Sequence, residues 1–299
     1  MKETTFTVTY YMHSGFSVAS GDILLVFDYW RGEYQELPPE RQITEEYIRA
    51  FSKVYVFISH EHPDHMDDIV LTWKDWGDVT YIISDGLPLE YKGSRMTPGS
   101  QLTLSDRLLV RAYDSTDLGV SWYIELDGHS LFHAGDLNFW HWRNESTLKQ
   151  IEREEAEFVK KTAPIAEEKI DLAFFPMDPR QGDMSDAGAN YFIMTVKPRI
   201  LVPMHFWTYI DAVKDFAHKS RVPGTEIIPM IQSGEELDVI FSENGGMEIV
   251  TYAPAPIMQL EYDEPLGNKN VMLEEYAGEN PFAESDMPIN FDEPYEPGK

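Results

Sequence analysis

Cysteine is absent from this chain of 299 residues. Disulfides and thiolate chemistry are therefore excluded, and every metal ligand must be an imidazole nitrogen or an oxygen atom. Basic residues are also scarce, because 24 Lys and Arg stand against 52 Asp and Glu, which gives a formal net charge of -28. Such an acidic surface repels phosphate groups, so we expect neither a nucleic-acid partner nor docking on an anionic membrane.

Long apolar runs are lacking as well. A typical one, residues 23–27, has the length of a strand and is far too short to cross a membrane. Residues 1–8 alternate polar and apolar side chains and lack the basic start and apolar block of a signal peptide, which predicts a cytoplasmic protein. Glycine-rich phosphate loops and serine-centred nucleophile elbows are missing too, which disfavours a kinase or a serine hydrolase.

Hydrophobic residues make up 42% of the chain and aromatic residues 13%, enough to repay the entropy of ordering a sizeable fold. Residues 6–11, 16–19 and 23–27 are typical of an antiparallel meander, and Thr44 marks a helix start. Residues 54–59 are apolar without polar alternation, as in a strand buried on both faces. Further strands are predicted over 79–84, 108–112, 120–126, 130–133, 170–175 and 200–203, and further helices over 146–169, 187–196 and 209–218. Because strands and helices come in two successive batches, the pattern favours an α/β fold of two sheets covered by helices over a doubly wound sheet.

Residues 255–299 differ in composition from the body of the chain. They carry 11 acidic residues, 2 basic residues and 6 prolines. We therefore predict a globular domain over residues 1–254 and an extended acidic tail over residues 255–299 that has no core of its own. Aromatic residues scattered along the tail suggest that it packs on the body or on a neighbouring subunit of a homo-oligomer.

The densest group of chemically informative residues is the run Ser59-His60-Glu61-His62-Pro63-Asp64-His65. It follows a buried strand, so His60 and His62 project to the same side, while the proline stiffens the turn. Three imidazoles and a carboxylate within six residues suit a divalent cation such as Zn, Mn, Fe, Ni or Co, and two ions could share them. Solvated surface histidines are the alternative, but the chain has only 9 histidines and places three of them here, which makes coincidence the weaker interpretation.

The run His60-x-His62-x-Asp64-His65 resembles the signature of the metallo-β-lactamase superfamily, whose members are four-layer αββα sandwiches with metal ions at one edge. Residues 11–16 resemble the Gly-His-Ser start of the branch that includes lactonase-like metal-dependent hydrolases. Residues 132–136 look like its His-Ala-Gly-Asp strand end, and residues 202–206 like its Pro-Met-His segment. The resemblance covers about residues 5–250. It implies the following ligands: His60 and His62 on a first metal, Asp64, His65 and His205 on a second, and Asp136 between them.

One departure from the family pattern concerns the first metal. The family supplies a third histidine to it, and residues 111–119 of this chain contain none. Three outcomes stay open: Asp114 or Ser115 substitutes as an oxygen ligand, the first site is weak, or only the second site is filled. An oxygen ligand would shift the preference from zinc toward manganese, iron or magnesium. We therefore expect one or two divalent cations, with zinc first and Mn, Fe or Ni as alternatives.

Several residues near these motifs are candidates for supporting roles. His133 and His13 are predicted to orient ligands rather than to bind metal. Asp28 closes a strand and could hydrogen-bond the histidine loop, and the aromatic residues of 139–142 either line a pocket or pack in the core. Arg180 could receive a carboxylate or phosphate of the substrate, although a surface salt bridge is its more ordinary role.

A metal-dependent hydrolase that acts on a small molecule is the function that these residues predict. A metal-bound hydroxide would attack an ester, lactone, amide or phosphodiester bond, and Asp64 would carry a proton to the leaving group. Redox chemistry like that of the flavodiiron relatives is less favoured, because position 62 is histidine and the tail cannot hold a flavin domain. The remaining alternative is a degenerate, non-catalytic member that binds a ligand or a protein, which the missing third histidine favours.

Overall fold

Two mixed β-sheets carry the described part of the chain, which comprises residues 3–32 and 36–254 of this computed structural model. Within it, the first sheet contains β1 (Thr4–Met12), β2 (Gly15–Ser20), β3 (Ile23–Phe27), β4 (Lys53–Ile58), β5 (Val79–Ser84), β6 (Ser94–Met96), β14 (Glu236–Phe241) and β15 (Met247–Tyr252). The second contains β7 (Gln101–Thr103), β8 (Leu108–Asp114), β9 (Val120–Leu126), β10 (His129–His133), β11 (Leu172–Pro176), β12 (Ile200–Met204) and β13 (Glu226–Ile227). The spatial orders are β15-β14-β1-β2-β3-β4-β5-β6 and β13-β12-β11-β10-β9-β8-β7.

Four α-helices and four 3-10 segments connect these strands in the described residues. The α-helices are α1 (Glu45–Arg49), α2 (Leu148–Thr162), α3 (Ala187–Thr195) and α4 (Ile210–Lys219). The 3-10 segments are Pro39–Arg41, Asp68–Asp75, Ile165–Glu167 and Pro179–Met184. None of the described helices is long and apolar enough to cross a membrane. The predicted acidic tail, residues 255–299, and its predicted subunit contact lie outside the described residues.

The predicted meander is present in the first sheet. β1 pairs antiparallel with β2, and β2 pairs antiparallel with β3. The chain then crosses through α1, which begins at the N-cap Thr44, and returns as β4 parallel to β3. The side chain of Thr44 accepts a hydrogen bond from the backbone N–H of Tyr47, so the sequence signal for a helix start is confirmed.

Strands β3 and β4 are apolar throughout because both of their faces are buried. Leu25 and Phe27 of β3 join the core between the sheets, whereas Leu24 and Val26 join a second core under α1 and residues 68–75. Across the inner core, the ring centroids of Phe16 and Phe174 lie 4.5 Å apart and link the two sheets. Successive side chains of such a strand point to opposite faces of the sheet, and all of them are apolar because both faces are buried.

Helices α2, α3 and α4 cover the outer face of the second sheet. The ring of Phe192 in α3 stacks on Phe132 of β10 at 5.3 Å and on Phe175 of β11 at 4.4 Å. Phe158 of α2 and Phe216 of α4 are buried in the same core. The order of layers is therefore helix, sheet, sheet, helix, and the predicted four-layer αββα sandwich is confirmed.

Parallel pairing aligns the carboxyl ends of the central strands in each sheet. β3, β4 and β5 run parallel in the first sheet, and β10, β11 and β12 run parallel in the second. In open α/β sheets, ligands bind outside the carboxyl ends of the strands. The turns that follow β3, β4, β10, β11 and β12 are thus the places where this fold can assemble a site.

The turn between β8 and β9 is pressed against the end of β4. Gly119 has a positive φ of 70°, and a Cβ atom at this position would lie 1.9 Å from the backbone oxygen of Ser59 and 2.7 Å from the Cβ of His60. The backbone N–H of Val120 donates to the same Ser59 oxygen at 3.2 Å. Only glycine can occupy this position, because a side chain would clash with Ser59 and His60. The contact joins the second sheet to the histidine-rich turn of the first.

We predict that Gly119→Ala lowers the free energy of unfolding by about 4 kcal/mol or more, because backbone strain at positive φ adds to a backbone clash. Gly99→Ala is the matched control, since Gly99 has a φ of 85° but no atom within 4 Å of the place that a Cβ atom would take. The control should lose only about 1–2 kcal/mol of unfolding free energy. Urea unfolding of both variants checks this, and equal losses would contradict the role of the contact.

Candidate metal centre

The six predicted ligands lie in turns at the carboxyl ends of three strands, in both sheets. In chain order they are His60, His62, Asp64 and His65 after β4, Asp136 after β10 and His205 after β12. Their side chains form overlapping groups in which the ligand atoms all lie within 4.8 Å of one another. The structure therefore brings together side chains that are up to 145 positions apart in sequence.

The carboxylate of Asp136 lies between two sets of imidazoles. Its Oδ1 is 2.9 Å from His65 Nε2 and 3.4 Å from His205 Nε2. Its Oδ2 is 3.3 Å from His60 Nε2 and 3.8 Å from His62 Nδ1. Each oxygen thus faces one set, which is the arrangement that the predicted bridging role of Asp136 requires.

Asp64 lies with His65 and His205. Its Oδ2 is 3.7 Å from His205 Nε2 and 3.0 Å from His13 Nε2. The side chain of Asp64 is 20% exposed, whereas that of Asp136 is only 4% exposed. His13 contacts a predicted ligand, and its ring is itself a member of this group of potential ligands, so the geometry does not separate an orienting role from metal binding.

Two buried atoms at the centre identify what the site can hold. Asp136 Oδ1 and His65 Nε2 have no hydrogen-bond partner in the described part of the chain, although they lie 2.9 Å apart. A buried polar atom left unpaired costs about 1–3 kcal/mol, and such atoms call for a missing ion or water. Imidazole nitrogens and carboxylate oxygens are ligands of Zn, Mn, Fe and Ni, so these residues fit a divalent cation.

Asp28 and Ser59 aim two imidazoles at the centre. The Nδ1 of His65 donates to Asp28 Oδ2 at 2.8 Å. Asp28 also accepts from the Ser59 backbone N–H at 2.8 Å and from its hydroxyl at 2.6 Å, and that hydroxyl oxygen accepts from His60 Nδ1 at 2.9 Å. With both Nδ1 atoms occupied, the Nε2 atoms face the site. The predicted hydrogen bond from the histidine loop to Asp28 is present.

Asp178, which follows β11, orients His205 in the way that Asp28 orients His65. The sequence analysis did not select Asp178. Its Oδ2 accepts from His205 Nδ1 at 3.1 Å and from Arg180 Nη2 at 2.6 Å. Burial alone would raise the pKa of Asp178, but His205 and Arg180 lower it to about 2, so the carboxylate is ionised at neutral pH. The sequence signal that could have identified Asp178 is a carboxylate shortly after a buried strand, which is also the signal that suggested a role for Asp28.

Arg180 is engaged within the chain. Its guanidinium pairs with Asp178 and lies 4.8 Å from the ring centroid of Trp207 and 5.6 Å from that of Trp142. The ordinary expectation of a salt bridge therefore holds for Arg180, and this salt bridge supports the carboxylate that orients His205.

Charge compensation between imidazoles and carboxylates shifts the pKa values at the centre. Burial alone would raise the pKa of Asp136, but His65, His205 and His60 hold it well below its ordinary value. Burial alone would lower the pKa of His65, but Asp136 and Asp64 raise it well above its ordinary value. Imidazole binds a cation only through a deprotonated nitrogen, so metal binding at this centre depends on pH.

Of the two expected substitutes for the missing third histidine, Asp114 does not reach the centre. Asp114 Oδ2 lies 3.5 Å from Lys161 Nζ and its side chain is 51% exposed, and it belongs to none of the potential ligand groups found among the described residues. The Ser115 hydroxyl lies 3.4 Å from the backbone N–H of Asp117. It is Asp117 whose carboxylate lies within 4.8 Å of ligand atoms of His62 and Asp136, and sequence reasoning did not select it.

His133 supports the turn that carries Asp136. Its Nε2 donates to the backbone oxygen of Ser14 at 2.9 Å, and its Nδ1 accepts from the backbone N–H of Gly135 at 3.2 Å. Both ring nitrogens are therefore in use, and His133 is absent from the potential ligand groups of the described residues. This contact agrees with the predicted orienting role.

Comparison with known proteins assigns the family. A family model described as a β-lactamase superfamily domain matches residues 7–205. The chain belongs to the metallo-β-lactamase superfamily. The matched segment includes all six predicted ligands.

Relatives match most of the length of this superfamily member, and a solved structure shares its fold. A UPF0173 metal-dependent hydrolase of Heliobacterium modesticaldum is 24% identical over 233 residues, 72% of this chain and 88% of that protein. One of Ignicoccus hospitalis is 24% identical over 260 residues, 80% of this chain and 100% of that protein. Among solved structures, the metallo hydrolase Igni18 of Ignicoccus hospitalis matches with a TM-score of 0.58 and 20% identity, covering 78% of this chain and 98% of that one.

A second solved structure, the diiron β-hydroxylase CmlA of Streptomyces venezuelae, matches with a TM-score of 0.52 and 11% identity. The match covers 80% of this chain and 54% of that one. At this identity the likeness concerns the metallo-β-lactamase fold alone.

Aromatic rings wall the metal centre of this superfamily member. The ring of Trp140 lies 5.5 Å from that of His205, and its Nε1 donates to the backbone oxygen of Asp136 at 3.0 Å. Trp207 and Trp30 lie 4.3 Å and 5.8 Å from the ring of His13. The aromatic residues of 139–142 were expected either to line a pocket or to pack in the core. Trp140 lies beside the centre, whereas Phe139 packs in the core.

Backbone strain concentrates at the same place. Among the described residues, six non-glycine residues have positive φ, and four of them contact the centre or its support: His13, Asp28, His205 and Trp207. Such conformations cost about 1–3 kcal/mol each and persist where surrounding structure imposes them, typically at functional sites. The strain therefore marks the same edge of the sandwich as the ligands do.

We predict that Asp178→Asn weakens divalent metal binding about 10- to 100-fold, because His205 loses the ionised acceptor that orients it. The measurement is metal affinity by competition with a chelator, together with urea unfolding. Asp171→Asn is the matched control, since Asp171 is a buried carboxylate at the other end of β11 that pairs with Arg199 at 3.2 Å. If both variants lost stability but kept wild-type metal affinity, Asp178 would have only a structural role.

Proposed function

We propose that this protein is a metal-dependent hydrolase that cleaves an ester, lactone, amide or phosphodiester bond of a small molecule. The observation that carries the proposal is the convergence of six imidazole and carboxylate side chains at one edge of the sandwich, where Asp136 Oδ1 and His65 Nε2 are buried without a hydrogen-bond partner among the described residues. The relatives from Heliobacterium and Ignicoccus are named metal-dependent hydrolases, which supports the same reaction class.

The cofactor in this proposal is one or two divalent cations, with zinc first and Mn, Fe or Ni as alternatives. His60 and His62 would hold one ion, Asp64, His65 and His205 the other, and Asp136 would lie between them. Divalent cations held there would polarise a carbonyl or phosphoryl oxygen and lower the pKa of bound water. The support for two ions is that the two oxygens of Asp136 face different imidazoles.

In this mechanism, the chain's own residues hold and orient the metal ligands. Asp28, Ser59 and Asp178 fix three imidazoles, so no reorganisation is needed when the substrate arrives. The rings of Trp140 and Trp207 lie 5.5 Å and 6.0 Å from the ring of His205 and place apolar surface beside the centre. Asp64 is our candidate for proton transfer to the leaving group, because its carboxylate is more exposed to solvent than that of Asp136.

The alternative is a non-catalytic protein that binds a ligand. The missing third histidine favours this alternative. The carboxylate of Asp117 beside His62 disfavours it, because a group that can bind metal is present on that side of the centre. The acidic composition supports a small-molecule substrate rather than nucleic acid or a membrane surface, and we keep a cytoplasmic location as part of the proposal.

We expect His62→Ala to lose bound metal and to lower hydrolysis more than about 100-fold, because an imidazole ligand is removed. The protein, purified without a His-tag, is analysed for metal and then assayed with that metal on lactone, phosphodiester and phosphomonoester substrates. His218→Ala, an exposed histidine of α4, is the control and should behave as the wild type. Wild-type turnover in His62→Ala would refute the assignment, and a wild type that takes up only substoichiometric metal would favour the binding protein.

We expect Asp64→Asn to lower kcat by about 100-fold or more while it keeps an oxygen that can bind metal, because an amide cannot transfer the proton. Metal content and kcat are measured on the same samples. Asp68→Asn, four residues along and exposed, is the matched control. A kcat that fell only in proportion to metal content would show that Asp64 is a ligand and not a proton carrier.

A further inference from the structure

The turn over residues 115–119, between β8 and β9, brings an additional carboxylate to the His62 side of the centre. Asp117, His62 and Asp136 each offer a ligand atom, and these three atoms lie within 4.8 Å of one another. His60 Nε2 is 3.0 Å from His62 Nδ1 and 3.3 Å from Asp136 Oδ2. Two imidazoles and two carboxylates therefore surround the space where the family places its first metal.

The position of this turn is built into the fold. Gly119 fits against Ser59 where no other residue can, which holds the turn on the histidine loop. On the other side, the Thr116 hydroxyl donates to the backbone oxygen of Asn138 at 2.6 Å and accepts from its backbone N–H at 2.9 Å. The turn is thus fixed at both ends to the segments that carry His60 and Asp136.

The side chains of Asp117 and Asp114 point in different directions. Asp114 points to Lys161 on α2, with 3.5 Å between the charged atoms. Asp117 offers a carboxylate oxygen that lies within 4.8 Å of a ring nitrogen of His62 and of an oxygen of Asp136. Two carboxylates directed at one imidazole repel each other, and a cation between them removes that repulsion.

We propose that Asp117 is the oxygen ligand that takes the place of the third histidine, so that the first site has two imidazoles and two carboxylates. This inference rests on the metal centre of the proposed function. Replacement of a nitrogen ligand by a carboxylate oxygen makes the site harder, so Mn²⁺ and Fe²⁺ gain relative to Zn²⁺. The departure from the family pattern is then a change of metal preference and not the loss of a site.

The test measures metal binding directly, without a substrate. The full-length chain, freed of metal by chelation, is titrated with Mn²⁺ and separately with Zn²⁺, and the number of equivalents and their affinities are determined by calorimetry. We expect two equivalents of Mn²⁺ in the wild type and at least a tenfold weaker affinity for one of them in Asp117→Ala. Asp117→His should raise the ratio of Zn²⁺ to Mn²⁺ affinity at that site at least tenfold, because it restores the nitrogen ligand.

Asp114→Asn is the matched control, since it changes a carboxylate three residues away that pairs with Lys161. It should bind both metals as the wild type does. Circular dichroism confirms that each variant is folded, and Asp117→Asn replaces Asp117→Ala if the latter is not. Two equivalents at wild-type affinity in the Asp117 variant, or an unchanged metal ratio in Asp117→His, would overturn this inference alone. A wild type that binds neither metal would overturn the proposed function with it.

Discussion

A carboxylate carried into a protein interior must be compensated by charge, and Asp136 is the group on which this structure depends. Its side chain is 4% exposed, and four imidazoles from two turns surround its two oxygens. Proton and metal can both supply the positive charge, and the buried atoms that remain unpaired indicate that the protein's own groups do so incompletely. The turns that carry the imidazoles are in turn held by Asp28, Ser59 and Asp178, so the fold at this edge is organised around one charge.

The sandwich explains how such distant residues meet. Parallel strands in both sheets end at the same edge, and five of the turns there contribute either a potential ligand or the group that orients one. Asp28 follows β3, the histidine loop follows β4, Asp136 follows β10, Asp178 follows β11 and His205 follows β12. A strand that is rigid and buried on both faces fixes the turn that follows it, which is why strained residues such as His205 can persist there.

Local patterns predicted much of this fold from the sequence. The meander, the N-cap at Thr44 and the buried strand predicted over 54–59, which is observed as Lys53–Ile58, depend on short-range periodicity and were confirmed. Pairing of β1 with β14 and the edge strands β6, β7 and β13 depend on contacts between distant segments, which periodicity does not contain. The site shows the same division. The spacing of its residues identifies the histidine loop, whereas the places of Asp178 and Asp117 depend on the fold that brings them to the centre. Asp114, expected from its position in the sequence, lies at the end of β8 and instead pairs with Lys161 of α2.

The two sides of Asp136 differ in how firmly they are built. On the Oδ1 side, His65 and His205 are almost fully buried and each is fixed by an ionised carboxylate behind it. On the Oδ2 side, the side chain of His62 is 38% exposed and Asp117 is exposed. Preorganised groups lose little entropy on binding a ligand, whereas exposed ones must be ordered when they bind. His65 and His205 therefore provide the fixed part of the centre, and the part where this chain departs from its family is the more mobile and solvent-accessible one.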